Sequence, residues 1–503
     1  MKLIFKGENC KNIIFFESDI SFMSENHVEK IIFHAILSPA TERFFMQHHE
    51  ADICVVGGGS GGFAAAIRAA QSGLKTILAE KEMILGGTST VCGVNCWEPV
   101  AGAAYGLPAE LYEEMKKIPG GCGIYHCAMH FCFNDPDKKN FPGGLYRIDP
   151  QLAYEDTLKR GYIYGGPWSQ DLWNGVIFEP EILNRCILKI LHASGCQVLT
   201  GSACSEVFCE NNSIKKIKLR NGTEISAKYW IDNCGILASA AKCRIFMGQD
   251  PAALFGEPDA PEEPDLSRLN GATMLFRITR KKQQGIDPFE GVPRKGCMVA
   301  TEYPNGDYCC NMLPTMNGAE FFAMERETAL AECENRISAF WNYVQLNYEW
   351  GRNYKISNIF HNPGIRETFR IQCDYMLNEN DLISGLQEQD HEDMIAVADH
   401  HMDLHGAPGT GKRVVPYGIP YRCLLAKGME NLLIAGRIGG FSCLAASSCR
   451  LSRTMIRLGE AAGYAAALAL QEGKPLRELP AEKLQDLMKF RKELEIAGFS
   501  IRH

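Results

Sequence analysis

The chain has 503 residues, 46% of them apolar and 22% charged, enough for a large buried core spread over two or three domains. A formal charge of −8 without any basic run excludes a nucleic-acid-binding surface, and no apolar stretch reaches the about 18 residues that would span a membrane. Twenty-one cysteines, in a chain whose N-terminus lacks a signal peptide's sustained apolar core, read as reduced thiols of a cytoplasmic protein rather than as a disulfide framework.

Residues 1–47 hold no assignable motif, and residues 1–45 read as a peripheral extension or an artefact of the assigned start codon. From Asp52 the pattern becomes specific. Asp52-Ile53-Cys54-Val55-Val56 is an apolar strand and Gly57-Gly58-Gly59-Ser60-Gly61-Gly62 a glycine turn. Phe63 to Ser72 is a small-residue helix stopped by Gly73, and Lys75 to Ala79 is a second strand running into Glu80 and Lys81. Gly57 permits the sharp turn, Gly59 lets backbone amides approach a pyrophosphate without a Cβ in the way, and Gly62 lets the helix pack on the strand. Phosphates then face the helix N-terminus, where Ser60 stands and where unpaired N–H groups and the dipole favour negative charge. Glu80 lies 18 residues beyond Gly62, close to the roughly 20-residue offset at which an acidic side chain meets a ribose hydroxyl pair.

Leu85-Gly86-Gly87-Thr88-Ser89-Thr90 is a second, polar glycine-rich loop. Residues 105–175, rich in Gly, Pro, aromatics and Cys, read as an irregular insertion with one amphipathic helix, Ala109 to Lys117. Cys122, Cys127 and Cys132 are evenly spaced there, with Cys92 and Cys96 upstream; no C-x₂-C-x₂-C run exists, so buried apolar thiols are favoured over iron–sulfur ligands. Glu181 to Ser194 has helical spacing, Gly195 ends it, and Gln197 to Thr200 is a strand. Ser205 to Cys209, Ile214 to Leu219 and the strand ending at Tyr229-Trp230-Ile231-Asp232 form a three-stranded meander, followed by Gly235.

Residues 246–400 begin with a Pro/Asp/Glu-rich linker, Pro251 to Asp265, include a helix from Thr328 to Leu346, and lack a glycine cradle. They read as a substrate-side domain. Arg366, Glu367 and Arg370 either clamp a substrate carboxylate or phosphate, since guanidinium forks match such anions, or form an ion pair between domains. His400-His401 and Asp403-x-His405 are a dense polar cluster: hydrogen-bonding histidines, a general acid/base, or an incomplete metal site. Gly406 to Arg413 resembles a phosphate loop but lacks Ser or Thr after Lys412 and a strand before it, and so reads as a surface turn. Leu432 to Ala435 is again a strand, Gly436-Arg437-Ile438-Gly439-Gly440 a glycine-rich turn, and Ser452 to Leu470 a long small-residue helix, ahead of a helical tail at 481–503.

Taken together these blocks resemble the FAD-dependent oxidoreductases of the two-dinucleotide-binding-domain class, with the nearest likeness to the branch related to the flavoprotein component of heterodisulfide reductase. The likeness covers roughly residues 50–245 and 360–470. It rests on Gly57 to Gly62 with Glu80, on Gly86 to Thr90, on Ile231-Asp232-Asn233-Cys234-Gly235, on Gly364 to Ile371, and on Asn431 to Arg437 followed by Arg450 and Gly459-Glu460-Ala461-Ala462-Gly463. The chain departs where relatives carry a second acid, since Ile236 stands there. The resemblance implies an α/β fold: a Rossmann-like FAD-binding domain (48–104, 176–245 and 401–480), its parallel sheet carrying the meander, plus an inserted α+β substrate domain (246–400). It further implies FAD, with adenosine on Glu80 and Lys81, pyrophosphate on Gly57, Gly59, Ser60 and Gly62 near Gly87 and Thr88, further contacts at Asp232 and Gly235, and the flavin ring near Gly436, Arg437 and Arg450. The function expected is hydride transfer between a small molecule and flavin, with Arg366 and one of His400, His401 or His405 as catalytic candidates and no metal or membrane involved. The alternatives are an electron-transfer flavoprotein, with a 4Fe–4S cluster and a redox partner protein, and an ordinary NAD dehydrogenase.

Overall fold

The fold is that of a computed structural model, which describes residues 47–129, 143–160, 173–405, 412, 414–496 and 498–499. The N-terminal extension up to residue 46, Cys132, and most of the loop from Gly406 to Arg413 lie outside these residues.

The motif at 52–80 folds as a βαβ unit: β1 (His48–Val56), α1 (Ser60–Gln71) and β2 (Thr76–Ala79). Ile53 to Val56 and all of β2 are buried, as expected of parallel strands covered on both faces. Five strands run parallel in the order Gln197–Leu199, β2, β1, Glu224–Asp232, Leu432–Ile434. The Glu224–Asp232 strand serves two sets of partners. Its first half pairs antiparallel with Ser213–Leu219, which pairs with Cys204–Glu210 to make the meander, and its last three residues pair with Leu432–Ile434. The helix Ser452–Glu472 packs along α1 with almost no side chain between. A Cβ at Gly459 would stand 2.1 Å from the Gly61 carbonyl oxygen, and one at Gly463 2.4 Å from that of Ala65.

A second sheet of eight strands has the order Tyr354–Ile359, Leu275–Arg280, Tyr308–Met312, Met298–Glu302, Gly143–Ile148, Cys122–Met129, Gly175–Phe178, Cys96–Trp97. Residues 105–175, expected to be irregular, therefore supply strands to it. The reason is burial: Gly143 to Tyr146 are four consecutive buried residues, so the period-two alternation that marks a strand in sequence is missing. The helix Arg326–Asn347 covers part of this sheet through Ile337, Phe340, Trp341 and Val344 against Phe276, Ile278 and Met298. Helices Ala481–Met488 and Phe490–Ile496 close the C-terminal end.

Candidate functional site

The turn after β1 builds the cradle. Gly57 adopts φ +98°, and its N–H donates to the Ala79 carbonyl at 2.8 Å. The Glu80 carboxylate accepts from Gly58 N–H at 2.5 Å and from Glu82 N–H at 2.8 Å, so the acid that ends β2 also braces the turn. Gly86 N–H donates to the Gly58 carbonyl, and a Cβ at Gly87 would lie 3.0 Å from Gly59 Cα, which presses the second glycine loop onto the first. The first turn of α1 has neither a side-chain cap nor an acid, leaving its N–H groups to an anion from the cavity.

Some expected contacts stand one step back. Gly62 is a packing position, since a Cβ there would lie 1.7 Å from the Gly57 carbonyl oxygen. Asp232 is fully buried, and its carboxylate accepts from the N–H groups of Cys234, Gly235 and Ala238 at 3.0, 2.7 and 2.9 Å. Its acceptors are spent on its own turn, so it shapes the chain beside the cradle rather than facing the cofactor. Gly235, at φ +84°, packs under the Phe369 ring. Asn233, not foreseen as a site residue, takes the central place. Its Nδ2 donates to the Ala435 carbonyl, and its side-chain atoms lie 2.6, 2.9 and 2.3 Å from where a Cβ would stand on Gly59, Gly61 and Gly436. One amide thus ties the cradle to the C-terminal glycine turn.

From the cradle a cavity of about 510 Å³ opens toward the second sheet, within the roughly 300–1,000 Å³ of ligand-holding clefts. Its lining includes Gly57, Gly59, Ser60, Glu80, Lys81, Gly87 and Thr88 of the cradle, then Gly436, Arg437 and Arg450, and also Arg366, His400, His401 and His405. The Ser452–Glu472 helix begins at the wall, with Ser452, Arg453 and Met455 lining it and no acid in its first turn. Buried polar atoms of lining residues without a partner among the described residues include Asn95 Nδ2, Trp97 Nε1, Asn311 Oδ1 and Arg450 Nε.

The polar cluster is organised by two carboxylates. Asp403 Oδ2 lies 2.6 Å from His405 Nε2 and 2.7 Å from Arg450 Nη2. Burial would raise this carboxyl, but His405 and Arg450 hold it well below the usual range. Burial, then the charge of Arg366, pushes His405 down to about 4, so at neutral pH the ring is uncharged. It donates from Nε2 to Asp403 and keeps its lone pair on Nδ1. His400 Nδ1 meets the His401 carbonyl at 2.7 Å, and its Nε2 is 3.5 Å from Glu98 Oε2. Burial opposes ionisation of Glu98, yet the hydrogen bond from His400 and the charges of Arg160 and Arg450 keep it well below the usual range. His401, stacked on His400 with centroids 4.1 Å apart, is pushed down to about 2 by burial and then by His400. Ligand atoms of His400, His401 and Asp403 lie within 4.8 Å of one another, but Asp403 already serves Arg450 and His405, so the group reads as a hydrogen-bonded network.

The three charged residues at 366–370 part ways. Arg370 is buried and pairs with Asp250 at 2.8 Å, Glu367 at 2.5 Å and the Gly248 carbonyl at 3.0 Å, so it is a structural joint. Arg366 faces the cavity. Cys122 and Cys127 are five residues apart on one strand, about 16 Å, and cannot share a cluster; Cys122 Sγ turns to the Tyr112 carbonyl. Lys412 bridges Asp259 and Glu379. Asn95, Trp97 and Glu98 were not singled out from the sequence. Their signal was a polar Asn and a carboxylate flanking a tryptophan directly after a glycine-rich loop.

A family model described as FAD dependent oxidoreductase matches residues 52–488. Mitochondrial dihydrolipoyl dehydrogenase of Schizosaccharomyces pombe is 67% identical over 81 residues, 16% of this chain and 12% of that protein. The 3-oxosteroid 1-dehydrogenase of Comamonas testosteroni is 46% identical over 55 residues, 11% of this chain and 10% of that protein. The matches therefore span only a small part of these curated relatives. Among solved structures, a geranylgeranyl bacteriochlorophyll reductase-like protein of Thermoplasma acidophilum aligns over 90% of this chain and 89% of its own, at 15% identity and TM-score 0.45. The p-nitrophenol 4-monooxygenase PnpA of Pseudomonas putida aligns over 90% and 87%, at 10% identity and TM-score 0.43. Among the described residues no helix is long and apolar enough to cross a membrane.

Proposed function

The chain belongs to the FAD-dependent oxidoreductase family, and from that premise we propose that it transfers a hydride between FAD and a small molecule bound in the same cavity. The observation that carries this reading is continuity. One cavity is lined by Gly59 and Glu80 of the cradle, by the second sheet's Tyr125, Tyr146, Val299 and Asn311, and by Arg366, Arg450 and the histidines.

The residues present fit FAD. The uncapped first turn of α1 suits a pyrophosphate, Glu80 reaches the cavity at the end of β2, and the close approach of Gly87 to Gly59 leaves backbone rather than side chain at the cradle surface. Arg437 donates to the Ile365 carbonyl at 2.6 Å and to Thr88 Oγ1 at 3.1 Å, which fixes a positive charge beside the second glycine loop. When bound, the flavin supplies a two-electron acceptor for hydride at carbon. The chain's own residues do the rest. The start of the Ser452–Glu472 helix directs its positive end into the cavity, Asp403 orients His405, and His405 Nδ1 takes the proton that must leave when a hydride departs from a C–H beside an O–H or N–H.

The test is anaerobic mixing of FAD-loaded protein with small-molecule donors while following flavin absorbance. A donor that bleaches one flavin per molecule consumed supports the reading. Reduction by a protein donor alone, with every small molecule inert, would make the chain an electron relay instead.

A further inference from the structure

Arg366 lines the cavity with both its charge and a hydrogen-bonding edge left over. Both hydrogen bonds it makes leave from Nη1, to the Gly271 carbonyl at 3.1 Å and to Thr273 Oγ1 at 2.6 Å. Its Nη2 and Nε have no partner among the described residues, and no described carboxylate lies within ion-pairing distance of it. The two carboxylates of this part of the cavity are occupied elsewhere: Asp403 by His405 and Arg450, and Glu98 by His400 and Arg160. Burial and the neighbouring charge of Arg450 press the Arg366 guanidinium below its ordinary value, yet a guanidinium stays charged in neutral water. The guanidinium is only half-buried and opens on the cavity, so its free edge offers a charge-assisted contact to an anion entering there.

The geometry narrows the anion. The Nη2–Nε edge presents two parallel N–H groups, the pattern that matches the two oxygens of one carboxylate. Arg450 stands nearby with Nε buried and unpartnered. Arg437, by contrast, is tied to Thr88 of the second glycine loop, which assigns it to the cofactor end and separates the two demands for negative charge. The same cavity is lined by the aromatic and apolar Trp97, Tyr125, Tyr146 and Leu275, with Asn95 and Asn311 among them.

We propose that the substrate is a carboxylate, gripped side-on by Arg366 with Arg450 adding charge, its apolar body lying against the aromatic face of the second sheet. This rests on the reading of the cavity as a flavin-plus-substrate site and names the class of molecule that enters it.

The test uses the FAD-loaded full chain and two probe pairs, benzoate with benzamide and acetate with acetamide, which differ in charge but little in shape. Binding is followed by the change in the flavin visible spectrum and by equilibrium dialysis. The acid of at least one pair should bind one per chain and roughly 10–100-fold more tightly than its amide. Arg366→Met should remove that preference while leaving FAD content and amide binding as they were, and Arg366→Lys should restore only part of it, since an ammonium lacks the two-pronged edge. Acids binding no better than amides in the wild-type protein would overturn the proposal without any variant. So would an Arg366→Met protein that keeps the preference, or one that loses FAD, which would assign Arg366 to the cofactor. A wild-type protein that takes up no FAD would instead sink the function proposed for the cavity.

Discussion

Gly459→Ala tests how the cradle is supported. The added Cβ would stand 2.1 Å from the Gly61 carbonyl oxygen, roughly 1 Å inside an ordinary van der Waals approach. Both partners are helix backbone, so neither can rotate away, and the Ser452–Glu472 helix must move off α1 at its first turn. Overpacking of this kind costs about 1–3 kcal/mol. With an unfolding entropy of about 2.1 cal/mol/K per residue, a domain of this size loses only about 1 °C per kcal/mol, so the melting temperature should drop by roughly 1–3 °C. The larger effect falls on FAD. Gly61 belongs to the turn that meets the phosphates, and weakening one charge-assisted amide contact there lowers affinity about 10–100-fold. Gly463→Ala is the control. Its Cβ would meet the Ala65 carbonyl at 2.4 Å, one turn farther from the cradle, so it should melt as early as Gly459→Ala yet bind FAD within about twofold of wild type. Melting curves and a fluorescence titration with FAD give both quantities. Equal loss of FAD affinity in the two variants, or no change in either, would refute the argument.

Two further substitutions probe separate parts of the account. Glu80→Gln keeps the shape of the brace but replaces the charged acceptor of the Gly58 and Glu82 N–H groups, so FAD should bind about 10-fold more weakly in a fluorescence titration; unchanged affinity would remove Glu80 from the cofactor site. Glu257 is buried beside Ser442, Asp250 and Glu379, and burial raises its carboxyl from 4.5 to about 7. The native state therefore holds this proton more tightly than the unfolded chain, and stability is lost as pH rises from 4.5 towards 7. Glu257→Gln should melt higher than wild type at about pH 8 and equal to it near pH 4, and a difference that persists at the acidic end would contradict the assignment.

The cofactor end was legible because its physics is local. Gly57, Gly59 and Gly62 act within one turn, Glu80 ends the adjacent strand, and small residues in α1 announce a helix pressed on its neighbours. What that helix presses against was not visible: Gly459 meets Gly61 and Gly463 meets Ala65, each pair 398 residues apart, and nothing in their own segment says so. Asp232 showed the converse error. A carboxylate at the end of a parallel strand suggested a ligand contact, while in the fold its oxygens cap the turn that follows it. The substrate end was harder to read because its parts lie on segments far apart in the chain. Asn95 and Glu98, flanking the Cys96–Trp97 strand, meet Asn311 only through the second sheet, and that sheet was partly hidden because Gly143–Tyr146 and Gly175–Phe178 are runs of four buried residues that lose the strand alternation. Arg366 and Arg370 looked equivalent in sequence, and only the positions of Asp250 and Glu367 separate the structural cation from the one left facing the cavity.

The central claim is that one FAD is held jointly by segments far apart in the chain, and amide hydrogen exchange with and without FAD tests it most directly. FAD should slow exchange together at 57–63, 86–90 and 436–438, and leave residues 337–347 of the Arg326–Asn347 helix unchanged. Protection confined to 57–63, with 436–438 exchanging as before, would contradict it.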